Sequence, residues 1–258
     1  MRTGRDLGDG PPGRAPGRRL DELAVALARV RSRVGAACAA AGRDEAGLTL
    51  IAVTKTYPAS DVLALASLGL TAFGENRDQE AAGKAEAVAV AGQPVTWHFI
   101  GQLQTNKARS VVRYADVVHS VDRVRLVRAL GAAARAAQRD LTCLVQVSLD
   151  AADAGGDTLA DPVRGGVPPA GLAEVAAAIE AEEGLALGGL MAVAPRHADP
   201  KEAFAPLREL SDAVRAVNPS ATVVSAGMSG DLEAAVEAGA THLRIGTALL
   251  GDRTPPVL

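Results

Sequence analysis

Leu48-Thr49-Leu50-Ile51-Ala52-Val53-Thr54-Lys55 decides how the rest of the chain is read. Apolar and β-branched residues run unbroken up to the lysine, as a parallel strand buried on both faces requires. Outward from this run the same pattern returns at 70–73, 95–100, 117–121, 141–148, 186–193, 221–225 and 241–245. Between the runs lie Ala-rich stretches of helical character at 59–68, 77–91, 104–114, 123–138, 169–182, 199–217 and 230–238. Strands alternating with helices predict a parallel sheet with the helices outside. Eight strands is the number of a TIM barrel. An open doubly wound sheet needs a Gly-rich first turn, but Thr56-Tyr57-Pro58 follows Lys55. The expected fold is therefore a single α/β domain over residues 20–258, a (β/α)8 TIM barrel.

Leu20 to Ala41 precedes the first strand as an amphipathic helix. Leu20, Leu23, Leu27, Val30 and Val34 follow at three- and four-residue steps, and Gly42 ends it. Residues 1–19 are rich in Gly, Pro and Arg and lack the apolar core of a secretory signal. They read as a disordered basic tail, because they bury too little apolar surface to offset the entropy of ordering. A solvated extension is the expected role, with contact to an acidic partner as the alternative. Asp150 to Pro169, rich in Asp, Gly and Pro, breaks the rhythm after the fifth strand. It reads as a disordered insertion or a lid.

The chain has 258 residues, 48% hydrophobic, with 27 glycines and 2% aromatics, so Ala, Val, Leu and Ile must build the core. A net charge of −3 argues against a general nucleic-acid or membrane-surface binder. No apolar run is long enough to span a bilayer. The two cysteines, Cys38 and Cys143, form no zinc spacing and no disulfide framework. That predicts a reducing, cytoplasmic setting, with Cys143 an inert buried thiol.

In a barrel the functional residues sit just past the C-terminal strand ends. Lys55 occupies the first such end. Apolar surroundings disfavour its ammonium form and make the amine a nucleophile toward aldehydes. Ser225-Ala226-Gly227-Met228-Ser229-Gly230-Asp231 follows the seventh strand and Gly246-Thr247 the eighth, where barrel phosphate sites often form. Glycines let backbone N–H groups approach an anion, and Ser229 is placed to cap the helix beginning near Asp231. A capped helix plus a tight turn gives the same pattern without a ligand. An amine together with a phosphate cradle is what pyridoxal 5'-phosphate (PLP) needs. Arg244, always charged, would keep a facing pyridine nitrogen unprotonated and weaken the electron sink. The alternative for Arg244 is an ion pair at the barrel mouth with Glu75 or Asp122.

Five segments in order carry a resemblance: Ala52-Val53-Thr54-Lys55-Thr56; Phe73-Gly74-Glu75-Asn76-Arg77-Asp78-Gln79-Glu80; Trp97 through Lys107; Gly188-Gly189-Leu190-Met191-Ala192; and Gly227-Met228-Ser229-Gly230-Asp231 with Arg244-Ile245-Gly246-Thr247-Ala248. Together they resemble the pyridoxal phosphate homeostasis protein family, single barrels of alanine-racemase type. The resemblance implies PLP held as an internal aldimine on Lys55. It places Asn76 beside the cofactor ring. Ser225, Ser229, Gly246 and Thr247 would surround the phosphate, and Arg244 would face the pyridine nitrogen. It further implies a protein that buffers PLP and delivers it to apo-enzymes, with no catalytic residue and no metal. The chain is expected to act as a monomer. Two positions depart from the family pattern. Ala226 stands where the family commonly has Met, and Arg164 stands near where it has a lysine before a glycine. Arg cannot form an aldimine under ordinary conditions, so Arg164 does not stand in for that second lysine.

Two other functions fit some of the residues. A PLP-dependent racemase needs a second acid/base on the opposite face of the cofactor. In racemases of this barrel type a tyrosine of a second domain supplies it, and only seven residues follow Gly251. A Schiff-base aldolase would use Lys55 without a coloured cofactor. The four histidines, His98, His119, His197 and His242, are scattered in the chain, and His98 reads as satisfied by a backbone carbonyl. Lys107 and Arg109 read as solvated.

Overall fold

The computed structural model describes residues 16–149 and 165–251. Eight strands close a barrel in chain order: β1 Thr49–Val53, β2 Ala72–Glu75, β3 Thr96–Phe99, β4 Val117–Val121, β5 Leu141–Val147, β6 Leu185–Ala192, β7 Val223–Ser225 and β8 His242–Ile245. Every pairing is parallel, and β1 meets β8 with Ile51 opposite Arg244. Helices fill the connections: α1 Pro16–Ala40, α2 Ala59–Ser67, α3 Asp78–Val90, α4 Ala108–Val111, α5 Val124–Ala137, α6 Leu172–Glu180, α7 Pro200–Phe204, α8 Leu207–Val217, α9 Leu232–Glu237 and α10 Thr247–Leu250. The (β/α)8 barrel expected from the alternating pattern is the fold observed.

The strand runs give Ile51, Ala52, Phe73, Phe99, Val118, Val145, Leu190 and Ile245, all buried. Their counterparts on the helices include Leu65, Val88, Leu126, Leu130, Ile179 and Leu207. Each fully buried side chain of this kind stabilises the fold by about 1.5–3 kcal/mol relative to exposure. Trp97, the single tryptophan, packs at a tilt on Phe73, with ring centroids 6.1 Å apart.

α1 precedes the first strand yet completes the outer ring, touching α2 on one side and α9 and α10 on the other. Its buried stripe is Leu23, Leu27, Val30 and Val34, and Val25 on another face is exposed. The helix begins at Pro16, four residues before the expected start at Leu20. Proline suits the first helical position, where its missing N–H has no partner to lose. Arg19, expected in the tail, is instead fastened: it pairs with the buried carboxylate of Asp61 at 2.6 Å and donates to Leu250 O at 3.2 Å. The rest of the expected tail, residues 1–15, and residues 150–164 of the expected insertion lie outside the described residues. The chain resumes with Val167 beside β5, its N–H donating to Gln146 O at 2.8 Å.

Candidate cofactor-binding site

β1 ends in a turn that presents Lys55. The Thr54 hydroxyl donates to Glu75 Oε1 at 2.7 Å, and Lys84 of α3 donates to the same oxygen at 2.8 Å. Contact with α3 places the Thr54 and Glu75 side chains on the helix side of the sheet. Lys55 follows in the turn just past the strand and is half-buried. The turn is closed by Tyr57 N–H on Thr54 O at 3.0 Å. Its third residue, Thr56, sits at φ 69°, a left-handed conformation costly for a β-branched residue. The Glu80 carboxylate accepts the Thr56 N–H, and Lys84 holds that carboxylate at 2.6 Å and Thr54 O at 2.7 Å. One buried lysine thus ties together the groups around the Lys55 turn. Burial pushes the Glu75 carboxyl up, against the opposing pull of Lys84.

Asn76 follows β2. Its side-chain oxygen is buried without a hydrogen-bond partner. Its loop touches the end of β3 so closely that a Cβ on Gly101 would lie 2.2 Å from Asn76 O. Only glycine fits there, which accounts for the Ile100-Gly101-Gln102 signature.

The β7 and β8 turns converge. Gly227, at φ 88°, reverses the chain after β7 and brings Ser229 against α10. Ser229 Oγ accepts the Ala248 N–H at 3.2 Å. This differs from the expected cap: α9 starts after Asp231, and Ser229 serves the first turn of α10 instead. Thr247, first in α10, has an N–H with no intrahelical acceptor. Arg33 of α1 anchors this cradle, donating to Ser229 O at 3.1 Å and pairing with Glu233 at 2.8 Å.

Ser225 and Arg244 lie deeper in the barrel. Arg244 Nη1 donates to Ser225 Oγ at 2.6 Å and Nη2 to Ala192 O at 2.8 Å. Neither ion pair offered as the alternative for Arg244 forms, because Glu75 turns outward to Lys84 and Asp122 pairs with Arg123. Among the described residues no carboxylate pairs with this buried guanidinium. Burial brings it down to about 10, with Asp231 opposing. Ser225 Oγ is also 3.0 Å from His119 Nδ1, and His119 Nε2 is 2.9 Å from His98 Nδ1. β4 and β7 are not neighbours, so the His119–Ser225 contact crosses the barrel interior. His98 therefore bonds another histidine and not the backbone carbonyl expected for it. Burial lowers His98 to about 3 and His242 to about 4, and holds His119 well below the ordinary histidine value.

Lys55 and Asn76 thus follow the C-terminal ends of β1 and β2, Ser229 follows β7, and Gly246 and Thr247 follow β8, while Arg244 lies within β8 with its guanidinium at the ends of β6 and β7. The Ser225 hydroxyl is committed to Arg244 and His119. Sequence reasoning missed Glu80, Lys84 and the His119–Ser225 contact. A signal for the first two is present in Glu80-Ala81-Ala82-Gly83-Lys84, an i,i+4 ion pair on α3. A cavity of about 500 Å³ lined by Asn76, Phe99, Gln102 and Lys107 adjoins the site. A larger one, about 690 Å³, lies on the flank beside Trp97 and Tyr114 and contains none of the site residues. No His, Cys, Asp and Glu grouping suited to a metal occurs among the described residues. Cys143 is fully buried, its thiol pushed up to about 12 by burial. No helix among them is long and apolar enough to cross a membrane.

Residues 25–254 match the family model for the alanine racemase N-terminal domain. The pyridoxal phosphate homeostasis protein of Mycobacterium tuberculosis is 45% identical over 252 residues, covering 91% of this chain and 94% of that one. The chain belongs to the pyridoxal phosphate homeostasis protein family. The family member from Escherichia coli is 35% identical over 240 residues, covering 91% of this chain and 98% of its own. The structure of PipY from Synechococcus elongatus with PLP bound superposes with a TM-score of 0.74 at 32% identity, covering 89% of this chain and all of PipY.

Proposed function

We propose that this chain binds PLP at the C-terminal mouth of the barrel, holds it through Lys55, and serves to store and hand on the cofactor, not to turn over a substrate. The single observation that carries this reading is Arg244. Ser225 Oγ and Ala192 O take two of its five N–H donors, and a buried cation without a carboxylate gains from a further acceptor. A pyridine nitrogen is such an acceptor, and Asn76, with its unmatched buried oxygen, offers a carboxamide for a ring substituent. PLP bound here supplies an aldehyde that condenses with a lysine amine, with loss of water.

The chain's own groups fit that occupant. Glu80 and Lys84 hold the turn that carries Lys55. Ser229, Gly246 and Thr247 form the cradle for a phosphate, with Arg33 fastening it from behind. Arg244 donates and never accepts, so it keeps a facing ring nitrogen unprotonated and limits carbanion stabilisation. That supports a carrier over a racemase, as do the names of the relatives. The recipients would be apo-enzymes that use PLP.

The experiment follows D-alanine formation from L-alanine by PLP-loaded protein, beside a Lys55→Ala control. The expected rate equals that of free PLP. A Lys55-dependent rate of about 1–1000 per second, the ordinary enzyme range, would refute the carrier reading. Transfer is read as activation of an apo-enzyme by loaded protein with a PLP trap in solution. Activation should survive the trap, and its loss would mean release to solvent.

A further inference from the structure

Barrels of this type ordinarily fill their interior with branched apolar side chains. Here His98, His119, Ser225 and Arg244 form one hydrogen-bonded line across it, with successive contacts of 2.9, 3.0 and 2.6 Å. All four are buried. The direction of every proton follows from one end. Arg has no acceptor, so Ser225 Oγ accepts from Arg244. The Ser225 proton then needs an acceptor of its own, and His119 Nδ1 is the one in reach. His119 must carry its proton on Nε2, which donates to His98 Nδ1. The reverse polarity leaves the buried Ser225 proton without an acceptor among the described residues. Burial keeps both rings neutral, as a one-way relay requires.

We propose that His119 is a positioning residue for Arg244, acting through Ser225. By accepting the Ser225 O–H at Nδ1 it turns a hydroxyl lone pair toward the guanidinium. That fixes the direction from which Arg244 meets the pyridine nitrogen of the cofactor. His98 sets the tautomer of His119 and so the polarity of the whole line. The inference rests on the PLP-binding reading above.

The test loads 15N-labelled PLP into the unaltered protein and into His119→Leu, His119→Gln, Ser225→Ala and the His119→Leu/Ser225→Ala double variant. PLP affinity and the 15N shift of the ring nitrogen are measured. Loss of one buried hydrogen bond to a charged group sets the expected scale, about tenfold in affinity. His119→Leu should weaken retention by about that factor and move the nitrogen resonance toward pyridinium. Ser225→Ala should do the same. The double variant should be no worse than Ser225→Ala alone, because His119 acts through that hydroxyl. Glutamine can accept from Ser225 and donate to His98, so His119→Gln should keep the unaltered resonance. A destabilised but correctly relaying variant keeps that resonance too, which separates positioning from folding. Multiplying losses in the double variant, or an unchanged resonance in loaded His119→Leu, would overturn the proposal. Failure of the unaltered protein to take up PLP would overturn the binding reading and this inference together.

Discussion

Lys84 Nζ donates to Glu75 Oε1 at 2.8 Å, with both side chains buried between α3 and the β1–β2 edge. The pair stands directly behind the turn that carries Lys55. Its second carboxylate, Glu80, catches the strained Thr56 N–H. The α3 face is thus coupled to the position of Lys55 by three bonds from one ammonium.

Removing that ammonium leaves Glu75 buried and unpaired. Lys84→Met should cost about 3–5 kcal/mol of stability at neutral pH, the range for breaking one side of a buried pair. The pH dependence has a definite sign. The folded-state value of Glu75 is raised by burial, and loss of Lys84 raises it further. The folded form then holds a proton that the unfolded chain has released, so stability falls as pH rises through the folded value. Urea unfolding should show a smaller deficit for Lys84→Met near pH 4.5 than near pH 7.5. An equal deficit at both would contradict the assigned role of Glu75.

Thr56 carries strain at φ 69° that glycine does not. A left-handed L-residue costs about 1–2 kcal/mol, and glycine gives back about 0.5–1 through the unfolded chain. Thr56→Gly should therefore be more stable by about 0.5–1 kcal/mol. Denaturant midpoints check this, and a destabilised variant would show that the turn conformation is not strained.

Ser229 caps the first turn of α10. Ser229→Ala should lower stability by about 1 kcal/mol, as for loss of a helix cap. Loss of a hydroxyl from the phosphate cradle should also weaken PLP retention about ten- to hundredfold. Equilibrium dialysis measures the second effect. Unchanged retention would place the phosphate elsewhere.

The barrel is legible because its strands are short apolar runs separated by Ala-rich helices, and all eight runs fall within two residues of their observed ends. The largest offset at both ends is at β2, where the run 70–73 lies two residues ahead of Ala72–Glu75. Leu70 is buried but precedes the strand, and Gly74 and Glu75 end it despite weak intrinsic preference. The helix expected over 199–217 is broken at Pro206, which cannot continue the hydrogen-bond ladder. At the site, Lys55, Asn76 and Arg244 were visible as strand-end residues. The His98–His119–Ser225 line was not, because closure of the barrel joins positions that lie 21 and 106 residues apart. Lys84 was hidden for another reason. A lysine on an Ala-rich helix looks solvated until the fold shows the carboxylates it faces.

The central claim is that Lys55 is the residue that holds the cofactor. Borohydride reduction of the PLP-loaded protein, followed by proteolysis and mass mapping, tests it directly. The pyridoxyl group should appear on Lys55, and Lys55→Ala should lose the label. A label carried mainly by Lys84, Lys107 or Lys201, with Lys55 unmodified, would contradict the account.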